Sequence, residues 1–172
     1  MMTIQEKRTA CVREALTWER TPFVWGAAIK GVGADCGRYA AAVGNAAGVK
    51  NIDMNSFPEM SPQWFLHEHR TSPFIEQILR FSVEYKLAKD AKADETMPVK
   101  AIPQPSDIVV AKFFHDWAHS AIVIDWPTII GSAGGYCVTR WNNIYLSPQY
   151  GHRALRFFDP FHPDAGGNVS DV

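Results

Sequence analysis

The spacing of apolar and polar residues divides this 172-residue chain in two. Up to about residue 92 the apolar positions recur at helical intervals, and beyond residue 106 they come in short β-type runs. Thr3 with Glu6 forms a capping-box pattern, and Ile4, Val12, Ala15 and Leu16 share one face of the helix it would open, to about Arg20. Thr21-Pro22 ends that helix, because proline disfavours helical backbone in the residue before it. "FVWGAAIKGVGAD" reads as a glycine-punctuated loop and "CGRYAAAVGNAAGV" as a second helix closed by Gly48. Residues 51–70 read as irregular or short helix. "SPFIEQILRFSVEYKLAKDAK" predicts a third helix, with Ser72 as N-cap, Pro73 in its first turn, and Phe74, Ile78, Leu79 and Phe81 turned inward. "ADETMPVKAIPQPSD" is a proline-bearing linker. Strands are expected at 107–114, 119–125, a short "TII", 135–141 and 154–158, with a hairpin at Gly134-Gly135. Helices first and antiparallel sheet second is an α+β order. The expectation is one domain over residues 1–160, with a helical insertion around 51–100 and a loose tail over 161–172.

Composition narrows the chemistry. A net charge of −1 gives no reason to expect a nucleic-acid or anionic-membrane partner. No apolar run is long enough to span a membrane, and the N-terminus lacks the apolar core of a signal peptide, so the expectation is synthesis in the cytoplasm. Three widely spaced cysteines, Cys11, Cys36 and Cys137, make neither a disulfide framework nor a CxxC metal knuckle. No cofactor is expected.

Cys36 sits where the second helix begins. Free N–H groups of a first turn favour an anion, so a thiolate there would be stabilised and nucleophilic. Taken alone, a buried and inert cysteine is equally compatible with that position. His119 opens the apolar run "HSAIVI", where a base at a sheet edge could take the thiol proton. A cysteine at a helix start, followed much later by a histidine at a strand start, is the layout of a papain-type dyad. His115 and His119 make HxxxH, but the segment lies between strand-like runs and lacks the glutamate of HExxH, so no metal is expected. "HEH" at 67–69 reads as solvated surface. Cys11 and Cys137 fall inside predicted elements and read as structural. Asp35 caps the second helix or recognises a substrate ammonium.

Four stretches in order, "TPFVWGA" (21–27), "GADCGRY" (33–39), "PSDIVVAKF" (105–113) and "HSAIVID" (119–125), resemble the NlpC/P60 family of cysteine peptidases. That family's pattern runs "TPYVWGG", "DCSG" opening a helix, "GD" before a strand and "HVGIY" opening the next. The wording around Cys36 looks most like the phage and prophage tail-associated branch. The resemblance implies a papain-like fold, with the nucleophile helix packed on a small antiparallel sheet. It implies Cys36 as nucleophile, His119 as general base, and hydrolysis of cell-wall stem peptides between γ-D-glutamate and the diamino acid. Asp35, Phe23, Trp25 and Gly37 would then face the substrate.

Three positions depart from the family pattern. The place of the polar residue that orients the base falls at Gly131, which has no side chain to do so. Adjacent Ser132 would serve only if a bulge or strong twist turned it to the same face. Asp116 and Asp125 are further candidates. Phe23 stands where the family has tyrosine, and Gly37 where it has the serine that helps hold the substrate amine. Three readings follow. The first is a cysteine hydrolase of cell-wall peptides, with incorporation into a phage tail among other tail proteins left open. The second is the same fold acting on another amide or thioester. The third is a non-catalytic structural member of a tail or envelope assembly.

Overall fold

In a computed structural model of the chain, residues 2–50, 52–58, 72–92 and 96–165 are described. Three helices pack on a mixed sheet, an α+β architecture. The elements run α1 (Ile4–Leu16), β1 (Ala28–Ile29), β2 (Gly33–Ala34), α2 (Cys36–Ala46), a 3₁₀ turn (Met54–Ser56) and α3 (Pro73–Leu79). There follow β3 (Val83–Leu87), β4 (Val99–Lys100), β5 (Ile108–Phe113), β6 (Asp116–Asp125), β7 (Thr128–Ser132), β8 (Val138–Trp141), a second 3₁₀ turn (Ile144–Leu146) and β9 (Leu155–Asp159). The main sheet has the order β4-β3-β9-β5-β6-β7-β8 and is antiparallel except for the β3–β4 pair. β1 and β2 form a separate two-stranded ribbon leading into α2.

Local rules explain the helix starts. The Thr3–Glu6 capping box is present at α1, and the Ser72 side chain accepts from the Ile75 N–H at α3. Gly48, at φ +77°, takes the left-handed conformation that closes α2. The third predicted helix is shorter than its pattern implied. Helix stops at Leu79, and "VEYKL" becomes β3, paired antiparallel to β9. Its alternation of Tyr85 and Leu87 inward is a strand period, and a free sheet edge beside β9 wins over helix propensity. So the insertion is not purely helical, and the linker supplies β4. The "HEH" segment lies outside the described residues. At the start of the expected tail Phe161 is buried, and residues 166–172 lie outside the described residues.

The sheet buries both faces, with strand residues alternating between them. Ile108, Val110, Ile122, Ile130, Val138 and Phe158 meet the helices. Val109, Ala111, Ala121, Val123, Ile129 and Phe157 face the other way, where Ile144 and Tyr150 cover them. α1 turns Arg8, Cys11 and Ala15 inward, while Ile4 is half exposed. An arginine on a buried face was invisible to apolar spacing, and its reason is ionic. Its two Nη atoms reach Asp107 at 2.8 Å and Asp159 at 2.6 Å, and Lys100 reaches the same two carboxylates at 3.0 and 2.7 Å. Tyr85 Oη donates to Asp107 at 2.7 Å. Burial alone would push the Asp159 carboxyl up, yet the hydrogen bond from Lys100 and the charges of Arg8 and Lys100 hold it below the ordinary carboxylate range.

Removing one partner of a buried ion cluster leaves unbalanced charge in low dielectric. Arg8→Ala is therefore expected to cost about 3–5 kcal/mol of folding stability. Urea unfolding checks it; a loss under about 1 kcal/mol would give the cluster no more weight than a surface pair.

Candidate active site

The segment before α2 is held by backbone. Pro22 bridges Cys137, and Phe23 bridges Ala34. The Ala34 N–H donates to the Pro22 carbonyl at 2.9 Å and the Asp35 N–H to the Ala27 carbonyl at 3.0 Å. Asp35 then caps α2, its Oδ1 accepting from the Arg38 N–H at 2.7 Å. The cap places Cys36 in the first turn. α2 seats on β6 through Ser120, whose Oγ donates to the Cys36 carbonyl at 2.9 Å.

β6 carries the histidine, and begins three residues earlier than its pattern implied. Asp116 is its first residue, so His119 lies inside the strand rather than at its start. The register against β5 slips here: Ala111 pairs with His119, but Lys112 pairs with Trp117. Ala118 is the extra residue of a β-bulge, a device that re-aims neighbouring side chains. The bulge has a direct role, since the Ala118 carbonyl accepts the Cys36 thiol at 3.5 Å.

Cys36, Ala118 and His119 line one cleft of about 190 Å³ with Phe23, Trp25, Phe113, Phe114, Gly134 and Gln149. Sequence reasoning located Cys36, His119, Phe23 and Trp25 here. It missed Phe113 at the end of β5, Phe114 in the turn to β6, and Gln149, which comes from the covering loop. Phe114 carried one readable signal, an aromatic pair before "HD" in a predicted turn. It is 76% exposed and held at φ +51°, an uncommon conformation for a bulky side chain.

Neither member of the pair is charged at rest. Burial pushes the Cys36 thiol up to about 12, reinforced by the Asp35 charge. The backbone N–H groups of Ser120, Gly37 and Cys36 oppose this without overcoming it. Of the two states that the helix start left open, this environment favours the neutral thiol; desolvation outweighs the first-turn N–H groups. Burial likewise pushes His119 down to about 3, with the Arg153 charge adding to it. No hydrogen bond joins the two side chains, and His119 Nε2 is enclosed without a partner.

The other predicted site residues lie apart from the cleft. Ser132 is fully buried and its Oγ donates to the Ala34 carbonyl at 2.6 Å. β7 pairs with β8 in regular register through Gly131 and Ser132, so no bulge turns the serine toward His119. Asp125 is exposed at the far end of β6, and Asp116 spends one oxygen on the Trp117 N–H. Asp35 Oδ2 accepts from Arg38 Nη1 at 2.8 Å and from the Gly26 N–H at 3.0 Å, so the chain itself supplies this carboxylate's cation. A side chain at Gly37 would run into Phe74 at 2.7 Å and Phe57 at 2.9 Å, which occupy the space. Asp35 and Gly37 shape the first turn of α2 rather than the cleft surface. Among the described residues, no three His, Cys, Asp or Glu side chains cluster as a metal site would need.

The fold has a solved counterpart. The crystal structure of the NlpC/p60 domain of the peptidoglycan hydrolase SagA superposes with a TM-score of 0.52, covering 87% of this chain and 96% of that domain at 18% identity. No protein-family model matches the sequence, and no curated protein matches it. The chain therefore has the NlpC/p60, papain-like fold, by structure rather than by sequence similarity.

The His119 shift sets a pH dependence. A histidine that titrates at about 6.5 unfolded and about 3 folded is more protonated in the unfolded chain between those values. Its contribution to stability is thus fully present above about pH 6.5 and is lost progressively as the pH falls toward about 3. His119→Gln should flatten this part of the curve. Urea titrations of both proteins at about pH 7 and about pH 5 should show the wild type losing more between the two pH values than the variant.

Proposed function

We propose that the protein is a papain-like cysteine hydrolase of amide bonds, with Cys36 as nucleophile and His119 as general base. One observation carries this reading. A buried thiol at a helix start and a buried, incompletely bonded histidine line the same cleft beside a β-bulge. Enclosing a polar ring nitrogen without a partner costs stability, and a catalytic role is one explanation of such a group.

The chemistry follows from the arrangement. With Nε2 enclosed, Nδ1 is the nitrogen that accepts the Cys36 proton as substrate enters. Sγ leaves the Ala118 carbonyl and attacks the amide carbon. The N–H groups of Cys36, Gly37 and Ser120, gathered near Sγ, stabilise the developing oxyanion. The C–N bond breaks, the imidazolium returns its proton to the leaving amine, and an acyl thioester remains. Water activated by the neutral imidazole then releases the acid and the thiol. Starting from a neutral pair, the proton moves only when substrate has displaced the thiol from its resting acceptor, which protects the cysteine between turnovers.

Cell-wall stem peptides are the substrate class proposed first. The sequence resemblance supports them, as does the peptidoglycan hydrolase named for the structural counterpart. A tail-associated role rests on the wording around Cys36 alone. The cleft favours a second reading. Among the described lining residues Gln149 is the one polar side chain besides the dyad, and Asp35 is already paired to Arg38. An apolar acyl group, as amide or thioester, suits that surface.

p-Nitrophenyl acetate tests the chemistry without a known substrate, because acyl transfer releases p-nitrophenolate and leaves acetyl on the nucleophile. Acetylation is expected at Cys36 by mass spectrometry and should be absent in Cys36→Ala. His119→Ala should slow the burst by about 10²–10⁴-fold. Acetyl found on other residues, or a burst indifferent to His119, would remove the reading. Release of new amines from stem peptides against acyl amides of increasing chain length then separates the two substrate classes.

A further inference from the structure

Among the described residues, no polar side chain bonds to His119 Nε2. Nε2 is enclosed without a partner, and Gly131, where the family resemblance would put an orienting residue, offers only hydrogen. Something else fills that space. A Cβ at Gly131 would lie 2.8 Å from Tyr150 Oη, 2.9 Å from the Ala121 Cβ and 3.0 Å from the Ser120 carbonyl. Tyr150 comes from the loop that covers this face of the sheet, and it is 1% exposed. Its ring stacks on the imidazole, centroids 4.8 Å apart and planes 24° from parallel. Phe113 closes the other contact edge-on at 5.0 Å.

We infer that Tyr150 is the positioning residue of His119, holding the imidazole by its ring face where a polar group would otherwise hold it by a hydrogen bond. The inference rests on the Cys36–His119 reading and extends it to a residue with no motif. Two contacts fix the tyrosine itself, and one of them leads on to the nucleophile helix. Its Oη donates to the Ser120 carbonyl at 2.8 Å, Trp141 packs edge-on against its ring at 5.5 Å, and Ser120 in turn holds the Cys36 carbonyl. One side chain thus ties the base to the strand residue that seats the nucleophile helix. A stacked ring restricts the imidazole to its plane while occupying neither ring nitrogen. When the imidazolium forms during acyl transfer, the electron-rich ring face stabilises its charge, as for any cation over tyrosine.

The burst with p-nitrophenyl acetate reads this out. Tyr150→Phe keeps the ring and should stay within about threefold of wild type, whereas Tyr150→Leu should lose about tenfold or more. The same Leu substitution made in His119→Ala should change nothing further, because a residue that acts through the histidine has no effect without it. Equal losses in both backgrounds would make Tyr150 a packing residue and overturn the inference. So would a Phe variant as slow as the Leu variant. If His119→Ala itself leaves the wild-type burst unchanged, the dyad reading fails and takes this one with it. Should Tyr150→Leu not fold, proton NMR of the wild type and Tyr150→Phe decides. Imidazole protons of His119 shielded by the neighbouring ring in both proteins support the stack, and their absence overturns it.

Discussion

Two carboxylates at neighbouring strand ends, Asp107 and Asp159, can stay buried only because Arg8 and Lys100 reach them. The rest of the molecule is arranged around that constraint. Arg8 belongs to α1, so satisfying the carboxylates pins the helix across the ends of β5 and β9. Its far end then meets α2, where Tyr39 Oη donates to the Ala15 carbonyl at 3.2 Å and Trp18 packs edge-on against Tyr39. The ion cluster is thus connected to the position of Cys36 through two helices, and it sets a distance that no local motif encodes.

The candidate site lies at the opposite end of the same sheet. Cys36 and His119 reach a common cleft from different layers. Cys36 comes from the helix layer. His119 comes from the strand residues that pack against Tyr150 and the covering loop. A regular strand would present residues 118 and 120 to the helices and residue 119 away from them. The bulge at Ala118 bends the strand locally and offers its carbonyl to the thiol, so the cleft opens where the regular ladder is interrupted. Desolvation then keeps both groups neutral, and the aromatic walls that exclude water also determine what can enter.

The departures from the resembled pattern acquire physical reasons in this setting. Gly37 is glycine because Phe57 and Phe74 stand against the first turn of α2, and Gly131 is glycine because Tyr150 occupies its space. Asp35 keeps its carboxylate but supplies the countercharge itself through Arg38, on the next turn of the same helix. These substitutions are compensated by packing nearby. Cys36 and His119 still line one cleft.

The sequence by itself determined the local features: the capping box at Thr3, the Asp35 cap, the helix start at Cys36, the apolar strands and the order of the four motifs. Each depends on residues a few positions apart, so a linear reading reaches them. Tertiary structure decided the rest. The stretch around Tyr85 became a strand because an open sheet edge was available to it. Arg8 turned inward because partners about 100 and 150 residues away required it. Burial pushes the Cys36 thiol up, a direction the sequence left open, since desolvation depends on everything that surrounds a group. Tyr150 carries no motif, and only the folding of its loop over the sheet brings its ring against His119.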